Sequence, residues 1–308
     1  MGSFSPPPQE PDYRSPGPRY IGPESEILRP GAVSTPQPLR KERQSWMVAP
    51  ATYVLIAINC IVFLAMLASH VSFLSPSPQE LMHWGANNVG SVLINGEWWR
   101  IVTAMFVHVG IIHLATNMWC LWNLGLLAEP LMGSAGVLAV YILTGAAGNL
   151  LSTFVNLWIG YPDLAELTDL VRKSHSGIPV EQLLGLFPAG AGASGAVFGI
   201  AGALIVLLKS PQLPVPPQEL GKLRRSVIYF AAINLLIGLG TMVPGSPVHI
   251  DNMAHLGGCA CGFLFATPLV PRIGSPKDLF IFRRRISVLM VTTVLVLFGT
   301  FIVRFAGL

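Results

Sequence analysis

The feature that most constrains this sequence is a series of apolar runs, each about as long as a bilayer is thick. A helix needs about 20 apolar residues to cross the hydrocarbon core. Seven such runs occur, at residues 47–74, 109–127, 136–157, 189–208, 227–242, 251–270 and 286–305. Charged residues make up only 11% of the chain, against about 25% in an average soluble domain. We therefore expect an all-α polytopic membrane protein.

Positive charge predicts how these helices are oriented. Basic residues precede the first run and lie between runs four and five and between runs six and seven: Arg40, Lys41, Arg43, Lys209, Lys222, Arg224, Arg225, Arg272, Lys277 and Arg283 to Arg285. Seven spans put these segments on one side, which the positive-inside rule assigns to the cytoplasm. The net charge of +4 therefore indicates topology, and we expect no nucleic-acid partner.

Composition divides the chain into three parts. Residues 1–45 are rich in Pro, Ser and charge, and we expect a disordered cytoplasmic tail. Residues 46–271 hold the first six runs, and residues 272–308 hold a basic linker and the seventh. No cleavable signal peptide is visible, which fits a bacterial inner membrane, although a eukaryotic secretory membrane stays open. The sequence predicts no role for the long 158–187 loop.

Polar residues interrupt three of the apolar runs. Ser194 lies in the fourth run, His255 in the sixth, and His113 and Asn117 share one face of the second. Ionisable groups inside a membrane are costly, so function is the first hypothesis for them. Ser194 lies about five residues into its run and His255 about four, which predicts a similar depth of roughly 6–8 Å on the same, outer side.

These residue types suit acyl transfer. A serine hydroxyl becomes a useful nucleophile when a base such as histidine accepts its proton. Small residues beside Ser194 and His255 would let the two helices approach closely. The Ser194 backbone N–H, His113 and Asn117 are candidate donors to an oxyanion. Asp251 lies one turn back from His255 toward the surface, so the sequence predicts a dyad without a third carboxylate.

Other interpretations of the same residues stay open. A serine in a membrane helix usually donates to a carbonyl one turn earlier, and a lone histidine is often a packing residue. A metal site or a transporter is a further alternative, because several ligand types are present: His108, His113, His249, Asp251 and His255. Against a metal, the sequence lacks an H-E-x-x-H motif.

Taken together, these motifs resemble the rhomboid family of intramembrane serine proteases over about residues 47–270. The resemblance rests on five patterns in chain order: Trp99-Arg100, His108 followed by His113-x-x-x-Asn117, Gly125…Glu129…Gly133, Gly192-Ala193-Ser194-Gly195, and Ala254-His255 with Gly257-Gly258. Each pattern alone is weak, but the ordered set is highly specific.

The resemblance implies a six-helix bundle with a short central fourth helix, to which this chain adds a seventh. It implies Ser194 as nucleophile, His255 as general base, an oxyanion site at His113 and Asn117, and transmembrane proteins as substrates, without metal or cofactor. Residues 243–250 would belong to a movable gate and cap. The family often has tyrosine where this chain has Phe198, which can still stack on His255.

The resemblance also assigns supporting positions, at Phe198, Trp99, Arg100, Gly192, Gly195, Gly258 and His108. A catalytically inert relative that binds membrane clients is the alternative function. Inert relatives typically lack the serine or the histidine, and this chain has both.

Overall fold

The computed structural model describes residues 49–160, 188–241 and 250–307 as a helical assembly. Seven long helices follow in chain order: α1 Pro50–Ala68, α5 Ile111–Met132, α6 Ser134–Gly160, α7 Ser194–Leu207, α8 Pro217–Gly240, α9 Asn252–Ala266 and α10 Lys277–Phe305. Three short helices lie between α1 and α5: α2 Pro78–His83, α3 Val89–Leu93 and α4 Arg100–Thr103, followed by a 3-10 turn at Ala104–Phe106. The predicted all-α class is confirmed.

Five of the seven long helices have the length and composition needed to cross a membrane, counted over the described residues: α1, α5, α6, α8 and α10. Large apolar side chains on α8 and α10 are exposed, among them Leu236, Leu289 and Leu297. Such faces are unstable in water and stable against lipid tails. The chain is therefore a multi-pass integral membrane protein.

Helix α7 lies at the centre of the bundle. It contains 14 residues, about 21 Å at 1.5 Å per residue, and is too short to cross the hydrocarbon core. It contacts α5, α6, α8 and α9, and its residues from Gly195 to Leu204 are all buried. The neighbouring helices thus shield α7 from lipid along most of its length.

Three helix starts differ from the prediction. Helix α7 begins at Ser194 instead of 189, α8 at Pro217 instead of 227, and α10 at Lys277 instead of 286. Hydropathy marks the apolar part of a helix only. The first turns of α8 are charged and hydrated, with Lys222 donating to Glu219 at 2.7 Å, and proline at the first helical position favours an early start.

The basic residues on α8 and α10 therefore lie on helices and not in loops. Arg284 stacks on Phe280 of its own helix, with the guanidinium 5.5 Å from the ring centroid.

Several other predictions lie outside the described residues: the 1–45 tail, Arg40, Lys41 and Arg43, most of the 158–187 loop, and nearly all of the 243–250 gate.

Helices α7 and α9 are in contact through their backbones. A Cβ atom at Gly258 would lie 1.9 Å from the Gly195 carbonyl oxygen, and one at Gly262 would lie 2.0 Å from the Gly199 carbonyl oxygen. Small residues allow this approach, which dispersion and close packing stabilise where lipid supplies no hydrophobic driving force. The helix with Ser194 is thereby held against the helix with His255.

A buried carboxylate fixes the start of α1. Glu129 accepts hydrogen bonds from the Ala51 and Thr52 backbone N–H groups at 2.8 and 2.9 Å. It also accepts from the hydroxyls of Thr52 and Ser134, at 2.8 and 2.7 Å. The first N–H groups of a helix lack partners within it, so Glu129 satisfies donors that would otherwise be buried unpaired.

We expect Gly262→Ala to destabilise the protein and Gly221→Ala to leave it intact. The Gly262 methyl would collide with backbone, and overpacking of this kind costs about 1–3 kcal/mol. Gly221 lies within α8 with nothing within 4 Å of a Cβ position, so alanine there adds helix propensity of about 1 kcal/mol. Thermal unfolding of both variants in the same detergent measures the difference. Equal stability would show that α7 and α9 are not in backbone contact.

Candidate active site

Ser194 is the first residue of α7 and is half-buried. Hydrogen bonds to distant backbone hold the chain just before it: Gly190 and Asn87 exchange two backbone hydrogen bonds of 2.8 Å, and the Gly192 N–H donates to the Ala104 carbonyl at 2.9 Å. The predicted depth of five residues below the helix start is therefore wrong. Because Ser194 opens the helix, its backbone N–H has no partner one turn earlier within α7.

His255 is the fourth residue of α9 and is 5% exposed. Its ring stacks on Phe198, with 4.2 Å between the centroids and 9° between the planes. Phe198 lies one turn after Ser194 on α7 and so shares its face. The stack therefore brings the imidazole to the face of α7 on which Ser194 lies.

The His255 ring has no hydrogen-bond partner among the described residues. Its Nδ1 atom is buried and makes no hydrogen bond with any described residue. In the described chain no hydrogen bond joins the Ser194 hydroxyl to the imidazole either. Catalytic hydrogen bonds are often long or poorly aligned until substrate is bound. The phenylalanine stack is then the contact that fixes the plane of the ring.

His113 packs against the chain just before Ser194. A Cβ at Gly192 would lie 2.5 Å from His113 Cε1 and 3.0 Å from Nε2. The Val109 N–H donates to His113 Nδ1 at 3.4 Å. Because Nδ1 accepts this hydrogen bond, the neutral ring carries its proton on Nε2, the nitrogen beside Gly192. His113 thus presents a donor near the start of α7.

Asn117 lies one turn after His113 on α5 and is buried, with 6% of its surface exposed. Its amide nitrogen donates to the His113 carbonyl at 2.9 Å. An amide group has two N–H donors, so one remains for another acceptor. His113 and Asn117 therefore line the same side of the site, as their spacing predicts.

His108 supports His113 from outside α5. It is fully buried, and the two imidazole rings lie 5.3 Å apart between centroids. The His108 Nδ1 lies 3.3 Å from the Phe106 carbonyl oxygen. The ring thus forms part of the wall behind His113.

Trp99 and Arg100 organise a different region, the α1–α5 connection (residues 69–110). Arg100 donates to the carbonyls of Met82 and Ala86 at 2.6 and 3.1 Å and to the Glu97 carboxylate at 2.5 Å. Its guanidinium also stacks on Trp99, 4.6 Å from the ring centroid. These contacts fold the connection, and none of them is with Ser194 or His255.

A metal centre receives no support from the part of the chain that is described. In that part, no group of three His, Cys, Asp or Glu side chains is close enough to hold an ion. His249, one of the candidate ligands, lies outside the described residues.

A polar stripe on α6 was not among the residues predicted from the sequence to form the site. Asn149, Ser152, Thr153 and Asn156 recur with helical spacing inside an apolar run. Ser152 donates to the Asp251 carboxylate at 2.5 Å, and Asn149 donates to the Ile101 carbonyl at 2.8 Å. Helical periodicity of the polar residues was the available signal. The stripe connects α6 both to the α1–α5 connection and to the residue before α9.

The fold and the cluster define a class: a polytopic membrane protein with serine, histidine and asparagine side chains gathered around a short central helix. A family model described as the rhomboid domain matches residues 95–272, more than half of the chain. The chain belongs to the rhomboid family.

Several curated proteins are similar to this chain. Rhomboid protease GluP of Bacillus subtilis is 31% identical over 225 residues, covering 73% of this chain and 36% of that protein. RHOMBOID-like protein 1 of Arabidopsis thaliana is 31% identical over 191 residues, covering 62% and 39%. Rhomboid protease AarA of Providencia stuartii is 29% identical over 226 residues, covering 73% and 74%. The matched region thus spans well under half of the first two relatives.

We expect Gly192→Ala to destabilise the protein more than the same change at a positive-φ glycine that lies in open space. Gly192 has φ +133°, which costs a non-glycine residue about 1–3 kcal/mol, and the new methyl would also displace His113. Gly96→Ala is the matched control, because Gly96 has φ +71° and nothing within 4 Å. Thermal unfolding measures both losses of stability, and the loss at Gly192 includes greater backbone strain as well as the collision with His113. A loss of thermal stability in Gly192→Ala no larger than that in Gly96→Ala would contradict the packing of His113 on Gly192.

Proposed function

We propose that this chain is an active intramembrane serine endopeptidase that hydrolyses peptide bonds in or near the transmembrane segments of other membrane proteins. One observation carries the proposal: His255 stacks on Phe198, one turn from Ser194, across a glycine-lined contact between α7 and α9. Family membership and similarity to proteins named as rhomboid proteases support it.

Ser194 and His255 would act as a dyad. His255 accepts the hydroxyl proton as Ser194 Oγ attacks the scissile carbonyl, and then returns that proton to the leaving amine. Water hydrolyses the resulting acyl-enzyme by the same proton transfers. No described carboxylate contacts His255 Nδ1, so the Phe198 ring, and not a third acidic residue, would orient the base.

Three donors would stabilise the tetrahedral oxyanion. The Ser194 backbone N–H lies at the start of α7, and the His113 tautomer places a proton on Nε2 beside Gly192. The second amide hydrogen of Asn117 is the third donor. Donors fixed in a water-poor site stabilise developing charge strongly, by about 3–4 kcal/mol each. This chemistry needs neither a metal nor a cofactor.

The proposed orientation follows the basic residues. The first residues of α8 and α10 include Lys222, Arg224, Arg225, Lys277 and Arg283 to Arg285, and the positive-inside rule assigns these ends to the cytoplasm. Ser194 begins α7, whose other end leads to α8. The site would therefore open toward the outer side of the membrane, and a bacterial inner membrane is the proposed location.

We expect Ser194→Ala and His255→Ala each to abolish cleavage of a transmembrane peptide in proteoliposomes. Each change removes an atom on which both acylation and deacylation depend, and residual rates should fall by at least about 10⁴-fold. Ser287→Ala is the matched control: it deletes a buried hydroxyl on α10 that donates only to the Arg283 carbonyl at 3.1 Å.

Normal cleavage by either site variant would contradict the dyad. A wild-type protein that binds the peptide in folded form, but never cuts it, would support the inert client-binding alternative.

We expect Asn117→Ala to lower kcat by about 100- to 1000-fold, because loss of one oxyanion donor has an effect of that size. Asn123→Ala is a closely matched control on the same helix. Asn123 makes the same i−4 hydrogen bond, to the Trp119 carbonyl at 2.8 Å, but is exposed. Steady-state kinetics on one peptide separates the two. Equal kcat values in both variants would remove Asn117 from the oxyanion site.

A further inference from the structure

Asp251 makes two separate hydrogen bonds where α9 begins. Its Oδ1 accepts from the Ala254 N–H at 2.9 Å, which caps the helix. Its Oδ2 accepts from the Ser152 hydroxyl of α6 at 2.5 Å. Ser152 is only 2% exposed. The first bond is an ordinary helix cap, whereas the second joins two helices and is not needed to cap either of them.

We propose that the Ser152–Asp251 hydrogen bond, the α6–α9 latch, positions His255 for proton transfer with Ser194. This inference rests on the proposed protease function. Asp251 precedes His255 by one helical turn, and the His255 N–H donates to the Asp251 carbonyl at 3.2 Å. Both latch residues are positioning residues, because they act through His255 and touch neither Ser194 nor a substrate.

The latch lies where three helices meet. A Cβ at Gly148 of α6 would lie 2.5 Å from the Ala254 carbonyl oxygen, and one at Gly195 of α7 would lie 3.3 Å from the same atom. Glycine contacts allow close approach, but they are not directional. They do not by themselves fix how far a helix slides along its neighbour or rotates about its own axis. A directional bond at this meeting point would set the depth and rotation of α9.

The same stripe of α6 also holds the chain that leads to Ser194. The Asn87 amide donates to the Asn149 carbonyl and to the Thr153 hydroxyl, both at 3.1 Å. Asn87 in turn pairs with Gly190 through two backbone hydrogen bonds. Thus α6 positions the segment before Ser194 through Asn87 and the start of α9 through Asp251. The same helix, α6, therefore contacts the segments that precede both dyad residues.

The latch is partly shielded from water, with Ser152 buried and Asp251 half-buried. A hydrogen bond to an ionised acceptor is roughly twice as strong as a neutral one. The Asn156 amide donates to the Ser152 oxygen at 3.2 Å, so the hydroxyl hydrogen is left for Asp251. Ser152→Ala therefore deletes the link between helices while keeping the cap. Asp251→Asn keeps an acceptor for Ala254 and supplies an amide that can donate to Ser152.

The test compares Ser152→Ala, Asp251→Ala and Asp251→Asn with Ser287→Ala, using peptide cleavage in proteoliposomes. We expect Ser152→Ala to lower kcat about 10- to 100-fold with KM little changed, because small misplacements of a base have such effects. Asp251→Ala should lower kcat by at least as much, and the double variant Ser152→Ala/Asp251→Ala should lower it no further than Asp251→Ala alone. Asp251→Asn should retain most activity, and Ser287→Ala all of it.

Hydrogen exchange supplies a readout that does not depend on proteolysis. We expect Ser152→Ala to speed amide exchange at residues 252–256 and to leave residues 262–266 unchanged. If the wild type is folded but inactive, the protease proposal fails, and this exchange pattern still decides whether the latch exists. Unchanged exchange and unchanged kcat in Ser152→Ala would overturn the inference, as would additive losses in the double variant.

Discussion

The backbone contact between α7 and α9 is the constraint on which the rest of the structure depends. Lipid tails are as apolar as the helices, so the hydrophobic effect does not drive these helices together. Gly258 and Gly262 instead allow α9 to approach the carbonyls of Gly195 and Gly199. Any side chain at these positions would separate the helices. The stack of His255 on Phe198 exists because that separation is absent.

Contacts around this pair explain why so many polar groups are tolerated in an apolar bundle. Many of them have a defined partner: Glu129 caps α1, Arg100 folds the α1–α5 connection, and the α6 stripe links that connection to α9. Buried polar groups are stable when paired and costly when not. Six buried side-chain atoms of the described residues lack a hydrogen-bond partner, and two of them belong to the site: Nε2 of His108 and Nδ1 of His255.

Much of this architecture can be predicted from sequence. Apolar runs predict seven long helices because a bilayer imposes length and hydropathy, and Ser194, His113, Asn117 and His255 stand out as polar residues within them. Helix starts were less predictable: α7 begins at Ser194 because Gly190 and Gly192 pair with distant backbone. The link from Asp251 to Ser152 spans 99 positions. One sequence does not encode such a pair in any local pattern.

The central claim is that Ser194 is an activated nucleophile, and covalent labelling tests it most directly. A fluorophosphonate added to the folded, detergent-solubilised protein should modify one residue, and peptide mass spectrometry should identify it as Ser194. Labelling should disappear in His255→Ala, because the serine then lacks its base. Absence of labelling in folded wild-type protein, or labelling at another serine, would contradict the account.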